Sequence, residues 1–337
     1  MGEKLKDQRK YVIAVIAVLI AAILGVVLIT LCFGRNEEPS DRVNDEDKAE
    51  KSADQPYCIL VMGSDAVSGL YDVMTLVSFD SANERICILQ LPRDTYAEYT
   101  EGSYKKLNGA SRALGGAKEL CGFIGECFQI SIDGYVCLDL EAFRDSVDAI
   151  GGVEMTLDKP FCYSDPSQNL YIDIPSGKQV LDGERAEMLV RYRSGYARGD
   201  LDRLDTQKRF LAAFFIALRE KTNPLNIYRL ASGILPYLKT DIAPNELVSL
   251  GARLLSLDGE RACMVTLPGE DVISEISGGS FYVASKQGTA ELLAERFGGD
   301  IGSFDREELL LHPSLDSFKK IYRRKINAKL VFLNELK

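Results

Sequence analysis

The chain has 337 residues, 46% of them apolar, enough to bury the core of one large domain or two small ones. Its formal charge of −10 excludes a nucleic-acid binder, because releasing counterions from phosphates needs a broad basic face. With His312 as its one histidine, the chain has no Ser-His or Cys-His pair for catalysis and no Cys/His zinc pattern.

From Tyr11 to Phe33 no residue is charged. At about 1.5 Å per helical residue, such a run crosses a hydrocarbon core of about 30 Å. It is longer than a signal h-region, and no A-x-A-like cleavage site follows it. An uncleaved transmembrane helix over 11–33 is therefore expected, ahead of a signal peptide or a buried core helix. Lys4, Lys6, Arg9 and Lys10 precede it, while Glu37, Glu38, Asp41, Asp45, Glu46 and Asp47 follow. That asymmetry puts residues 1–10 in the cytoplasm and the bulk of the chain on the far side of the cell membrane. Residues 34–56 are charged and poor in large apolar side chains, which predicts a flexible linker.

Three apolar runs over 57–63, 73–79 and 85–91, bounded by Gly, Asp, Asn and Pro, predict neighbouring strands buried on both faces. Helical spacing follows over 110–128, then a strand over 134–140 and a short helix over 141–150 that Gly151 and Gly152 stop. Asp182 caps a predicted helix through Val190, and a long helix covers 206–221 with Phe210, Leu211, Phe214, Phe215 and Leu218 on or near one face. Helical patterns also fill 225–238, 245–257 and 289–297, with strands at 263–267 and 281–284. Strands mixed with helices throughout predict one α/β domain over 57–299, leaving 300–337 as a C-terminal tail.

Cys58, Cys87, Cys137 and Cys263 each sit in apolar strand-like runs, where cysteine behaves as a small hydrophobe. Cys121 and Cys127, six positions apart on a helix, are expected on different faces. Free thiols are the default, with one disulfide possible and unassignable.

The candidate chemistry sits where strands end. Asp65 follows the first strand and Asp72 opens the second, so both carboxylates can meet at one edge of a sheet, where α/β folds bind ligands. Two such carboxylates suit a hard cation shared with substrate phosphate oxygens; taken alone, they are also ordinary turn formers. Pro92-Arg93-Asp94 follows the third strand. Between 191 and 209 the chain turns locally positive, with Arg191, Arg193, Arg198, Arg203, Lys208 and Arg209 against Asp200, Asp202 and Asp205. Arginine's planar fork matches phosphate oxygens bidentately, although a solvated charged face accounts for the same pattern. An extended Arg191-Tyr192-Arg193 would point both guanidiniums to one face, and Gln207 lies one helical turn beyond Arg203.

Eight ordered motifs carry a resemblance. They are Gly63-Ser64-Asp65, Tyr71-Asp72-Val73-Met74, Leu91-Pro92-Arg93-Asp94-Thr95, Lys106-Leu107-Asn108-Gly109-Ala110, Val147-Asp148-Ala149-Ile150-Gly151-Gly152-Val153, Leu181-Asp182-Gly183-Glu184, Val190-Arg191-Tyr192-Arg193 and Gly199-Asp200-Leu201-Asp202-Arg203. In this order, after an N-terminal apolar run, the chain resembles the LytR-CpsA-Psr family from about Tyr57 to about Phe215. The match extends weakly to Leu267-Pro268-Gly269 and Phe281-Tyr282.

The resemblance implies a three-layer α/β/α fold with a central mixed β-sheet, preceded by one transmembrane helix. It implies a phosphotransferase that moves a glycopolymer, such as teichoic acid or capsule, from a polyprenyl-pyrophosphate carrier onto peptidoglycan in a Gram-positive envelope. Membrane lipid and the peptidoglycan acceptor are then the partners, and Mg²⁺ or Mn²⁺ the cofactor. By the same resemblance Asp65 and Asp72 hold the metal. Arg93, Lys106, Arg191, Arg193, Asp200, Arg203 and Gln207 form the pyrophosphate site. Asp65 and Arg93 take catalytic roles, and Phe210, Phe214 and Leu218 border a lipid pocket. Leu70 and Thr206 stand where the family usually has arginine. A membrane-tethered binder of the same lipid, and a hydrolase of its pyrophosphate, remain open as alternatives. The tail falls outside the resemblance; Phe318, Ile321 and Tyr322 are spaced as one face of a basic terminal helix.

Overall fold

Glycines, aspartates and an asparagine interrupt the apolar runs, and in the computed structural model strands turn there into further strands or into helices. The structure describes residues 55–64, 70–99, 106–165, 170–192, 200–221, 237–243, 246–247, 249–251, 253, 260–274, 279–299, 318–319, 325–326 and 330–332. The expected transmembrane helix over 11–33 and residues 34–54 of the expected linker lie outside these residues. No described helix is long and apolar enough to cross a membrane.

Strands β1 (Tyr57–Ser64), β2 (Tyr71–Asp80) and β3 (Arg85–Leu91) open the fold. The single helix expected over 110–128 is divided into α1 (Ala110–Leu114) and α2 (Ala117–Phe128). Gly115, with φ of 113°, takes a left-handed conformation that ends the first helix. β4 (Gly134–Leu138) passes into α3 (Leu140–Ala149), whose N-cap Asp139 accepts a hydrogen bond from the Ala142 amide. Four strands without a sequence expectation follow: β5 (Val153–Leu157), β6 (Phe161–Asp165), β7 (Leu170–Ile174) and β8 (Gly177–Leu181). Asp182 caps α4 (Gly183–Arg191) by accepting from the Arg185 amide.

The long helix α5 (Asp200–Lys221) starts at Asp200 rather than Thr206. Next come β9 (Lys239–Thr240), β10 (Ala262–Thr266), β11 (Gly269–Ser274), β12 (Ser280–Ala284) and α6 (Lys286–Arg296). Most of the helical pattern over 225–238 lies outside the described residues. The tail corrects its helical reading: it contributes β13 (Phe318–Lys319), β14 (Lys325–Ile326) and β15 (Val331–Phe332). Pairing partners elsewhere in the chain decide this, because β11 accepts β13 and β14 while β10 accepts β15.

The central sheet has seven strands in the order β15-β10-β3-β2-β1-β4-β9. It is mixed: β1 runs parallel to β4 and β3 to β10, while the other neighbours are antiparallel. Alternate residues face opposite layers. Ile59, Val61, Val77 and Ile88 pack with α3, α4 and α5; Leu60, Met62, Leu76 and Leu89 pack with α1, α2 and α6. The fold is thus α/β/α with a mixed central sheet, and a small sheet of β11 and β12, joined by β13 and β14, lies beside it.

Cys58, Cys87, Cys121, Cys127, Cys137 and Cys263 are buried free thiols in the second layer, and Cys162 is an exposed one. Cys121 and Cys127, expected on different faces, share that layer because α2 is covered around more than one stripe.

Candidate active site at one edge of the central sheet

β1 and β3 both run antiparallel to β2, so their C-terminal ends and its N-terminal end share one edge of the sheet. Ser64 pairs with Tyr71 and Met74 with Leu91. The register slips between Gly63 and Ser64, which leaves Asp72 as an extra residue in a bulge. Bulges re-aim a side chain out of the regular pleat and recur beside active sites. Asp65, the residue after Ser64, lies outside the described residues.

Tyr71 next to the bulge is half-buried, and burial pushes its phenol upward. It stays neutral and accepts a hydrogen bond from the Cys137 thiol at 3.4 Å.

Arg93 and Asp94 follow β3 at the same edge. Arg93 is 6% exposed, and its carbonyl accepts the Asn108 amide at 3.1 Å. Lys106 arrives through a backbone bridge to Tyr96, and its ammonium donates to Asp94 Oδ1 at 2.8 Å. Arg93 Nε lies 3.8 Å from Asp94 Oδ2. The Lys106 nitrogen also stands 5.4 Å above the centre of the Phe281 ring. Two sequence-predicted cations, Arg93 and Lys106, thus share one carboxylate.

Helix packing places Arg191. The Gly183 amide donates to Asp148 Oδ1 at 2.7 Å, and Arg144 pairs with Glu187 at 3.1 Å. The start of α4 therefore meets the end of α3, and the two helices run antiparallel. α3 begins just beyond β4, whose Leu138 pairs with Gly63 at the site edge. Arg191, the last residue of α4, consequently ends on that side. A Cβ at Gly183 would strike the Arg144 backbone, so glycine permits this close approach.

The extended reading of Arg191-Tyr192-Arg193 is corrected in part, since Arg191 closes a helix and the chain extends only at Tyr192. Tyr192 is 6% exposed and meets Phe161 edge-on, with centroids 4.8 Å apart. Arg193 lies outside the described residues. Asp200, Arg203 and Gln207 all belong to α5, and Arg203 and Gln207 fall one turn apart.

Phe210, Phe214 and Leu218 on α5 are 0%, 0% and 1% exposed within the first layer. Phe210 lies edge-on to Phe143 at 5.8 Å, which keeps this part of α5 beside the start of α3. Two residues of the edge carried no expected role: Asp94, although it stands inside the Pro92-Arg93-Asp94 motif, and Phe281. The spacing of charges signals neither, because both act through contacts between distant segments.

The LytR_cpsA_psr family model matches residues 31–297, more than half of the chain. The chain belongs to the LytR-CpsA-Psr family. It is 29% identical over 229 residues to the polyisoprenyl-teichoic acid–peptidoglycan teichoic acid transferase TagV of Bacillus subtilis, covering 65% of this chain and 58% of that protein. To the transferase TagU of Oceanobacillus iheyensis it is 29% identical over 267 residues, covering 74% of this chain and 79% of the relative. Among solved structures, Bacillus subtilis TagV superposes with a TM-score of 0.60 at 24% identity, covering 77% of this chain and 99% of that one. A protein of Enterococcus faecalis superposes with a TM-score of 0.62 at 21% identity, covering 78% and 95%. The chain therefore shares the fold of these structures.

Proposed function

We propose that this chain is a membrane-tethered phosphotransferase that moves a glycopolymer from a polyprenyl-pyrophosphate carrier onto peptidoglycan. The observation that carries the reading is that Arg93 and Lys106 share the Asp94 carboxylate at the sheet edge where Asp72 stands in a backbone bulge, in a member of this family. Relatives named as teichoic acid transferases, and a TagT structure described as bound to LI-WTA, support the substrate class.

In the proposed step, an acceptor sugar hydroxyl attacks the phosphorus that bears the glycopolymer. The bond from that phosphorus to the bridging oxygen breaks, lipid phosphate leaves, and the hydroxyl proton passes to a carboxylate, for which Asp65 is the candidate. Negative charge builds on the bridging and equatorial oxygens, so catalysis is mostly positioning and electrostatic stabilisation. Arg93, Lys106, Arg191, Arg193, Arg203 and Gln207 supply donors for those oxygens, and Asp200 completes the site.

Asp72 lies in the bulge opposite the end of β1, and Asp65 is the next residue in the sequence after that strand; two such carboxylates would suit a hard cation shared with phosphate oxygens. When bound there, Mg²⁺ or Mn²⁺ would neutralise charge on the transferring group. The polyprenyl tail would shelter in the apolar layer bordered by Phe210, Phe214 and Leu218. Their near-complete burial means that side chains of this layer would have to rearrange to admit it. The apolar run over 11–33 anchors the chain beside the lipid donor.

Leu70 and Thr206, in place of two arginines, favour a second reading in which the chain holds the lipid without turning it over. Incubation with a lipid-linked saccharide, with and without acceptor glycan, tests both. Saccharide on the glycan supports transfer, bound but unchanged lipid supports the binder, and free saccharide phosphate supports hydrolysis.

A further inference from the structure

Asp94 poses a problem for a diphosphate site. A carboxylate beside the cations repels the anion they are meant to bind, so its presence calls for a compensating role. We propose that Asp94, backed by Phe281, is a positioning residue that presets Lys106 and Arg93 as a fixed pair of cations for the donor diphosphate. The inference rests on the reading of Arg93 and Lys106 as diphosphate ligands.

The geometry carries it from two sides. Asp94 Oδ1 takes one Lys106 proton at 2.8 Å, and Oδ2 lies 3.8 Å from Arg93 Nε, so one carboxylate spans both cations. The face of Phe281 stands 5.4 Å from the same ammonium. A lysine stem has four rotatable bonds, and an ammonium has three protons. Holding it between a carboxylate and a ring fixes its direction before the ligand arrives, which removes an ordering cost from binding.

The clamp is built into the fold. The Tyr282 amide donates to the Asp94 carbonyl at 2.9 Å, and the Tyr96 amide donates to the Tyr282 carbonyl at 2.8 Å. The Leu107 amide donates to the Thr95 carbonyl at 2.8 Å. Tyr96 meets Phe281 edge-on at 5.7 Å, and both are buried with Val272 and Val283. The small sheet therefore holds the segment after β3 as well as the ring beneath Lys106. Its presence beside the site edge has a reason: it carries half of the clamp.

The test uses the full chain in detergent with Mg²⁺, titrated calorimetrically with inorganic pyrophosphate and with geranyl pyrophosphate. Asp94→Asn keeps the shape and makes the protein one unit more positive. Positioning predicts that it still weakens binding about tenfold, the order expected from freeing one lysine side chain. A purely electrostatic carboxylate predicts tighter binding, which would overturn the proposal. In a Lys106→Gln background, Asp94→Asn should cost less than it does alone, because the Lys106 part of the interaction can be lost only once. Fully additive losses would also overturn it. Phe281→Leu keeps apolar bulk but removes the ring face, and should weaken binding about threefold. It carries the test if Asp94→Asn fails to fold, and unchanged affinity there would overturn the clamp. If Lys106→Gln itself leaves binding unchanged, the diphosphate reading of the site fails, and this inference with it. If Lys106→Gln weakens binding while Asp94→Asn does not, only this inference fails.

Discussion

Replacing Phe210 by alanine separates packing from lipid binding in the apolar layer under α5. Phe210 is 0% exposed, lies edge-on to Phe143 at 5.8 Å and 61°, and stands 6.4 Å from Phe214. Truncating a ring so enclosed costs about 3–5 kcal/mol, of which the aromatic pair with Phe143 supplies about 0.5–1.5 kcal/mol. At about 2–4 °C per kcal/mol for a domain of this size, Phe210→Ala should lower the thermal midpoint by about 6–20 °C. Phe210→Leu keeps most of the volume and should cost only about 1 kcal/mol. Circular dichroism of the full chain in detergent, in the far and near ultraviolet, reads both shifts without added lipid. A midpoint within about 3 °C of the parent for Phe210→Ala would refute the packing argument. It would mean that the ring borders space already able to relax, as the wall of a lipid pocket would.

Two further outcomes are expected. Asp72→Asn should abolish glycopolymer transfer, and EDTA should inhibit the parent reversibly; full turnover in excess EDTA would rule out the metal at the bulge. With Cys32 first replaced by serine, a thiol reagent should label only Cys162 in the folded chain, because the other six described cysteines are buried. Burial and Glu126 push Cys127 up to about 12, and burial raises Cys137 to about 11 against a hydrogen bond to Tyr71. Desolvation and the nearby Asp173 carboxylate raise Cys162 as well, so its labelling should accelerate as pH rises and thiolate forms.

What the sequence makes legible is local. Asp139 and Asp182 cap their helices through a side-chain oxygen that accepts from the amide three residues later, a signal written in nearby residues. The runs at β1, β2 and β3 are apolar on both faces because both faces of the sheet are covered, so continuous hydrophobicity suffices to find them. β5 alternates buried and exposed residues cleanly, yet five residues of alternation are too few to stand out. Pairing with β8, across the intervening β6–β7 hairpin, completes it. At the site, the motifs mark which residues are present but not their partners. Lys106 and Asp94 are twelve positions apart and Phe281 is far downstream, so their contact comes from the small sheet folding back. Arg191 shows the same limit, since only its helix packing against α3 shows which end of the layer it reaches.

The tail gives the clearest separation of charge from structure. Lys319, Lys320, Arg323, Arg324, Lys325 and Lys329 invite a role on anionic lipid or wall polymer, because each basic residue near such a surface adds about 1 kcal/mol. The backbone assigns the segment a second task. Phe332 pairs with Cys263 and Val331 with Met264, so β15 covers the edge of β10, all five of whose residues are buried. Removing residues after Ser314 would leave β10 as a bare apolar edge and strip β13 and β14 from β11. A handful of ladder hydrogen bonds at about 1 kcal/mol each puts the loss on the order of a few kcal/mol, and an uncovered apolar edge promotes association. The truncated chain should therefore melt lower and sediment as aggregates. Charge reversal at Lys320, Arg323 and Arg324 tests the other role, since it spares the paired residues and should leave the melting point in place. If the truncated chain stays monomeric with an unchanged midpoint, and both variants lose salt-sensitive binding to anionic vesicles, the strands are incidental and the charge is the tail's function.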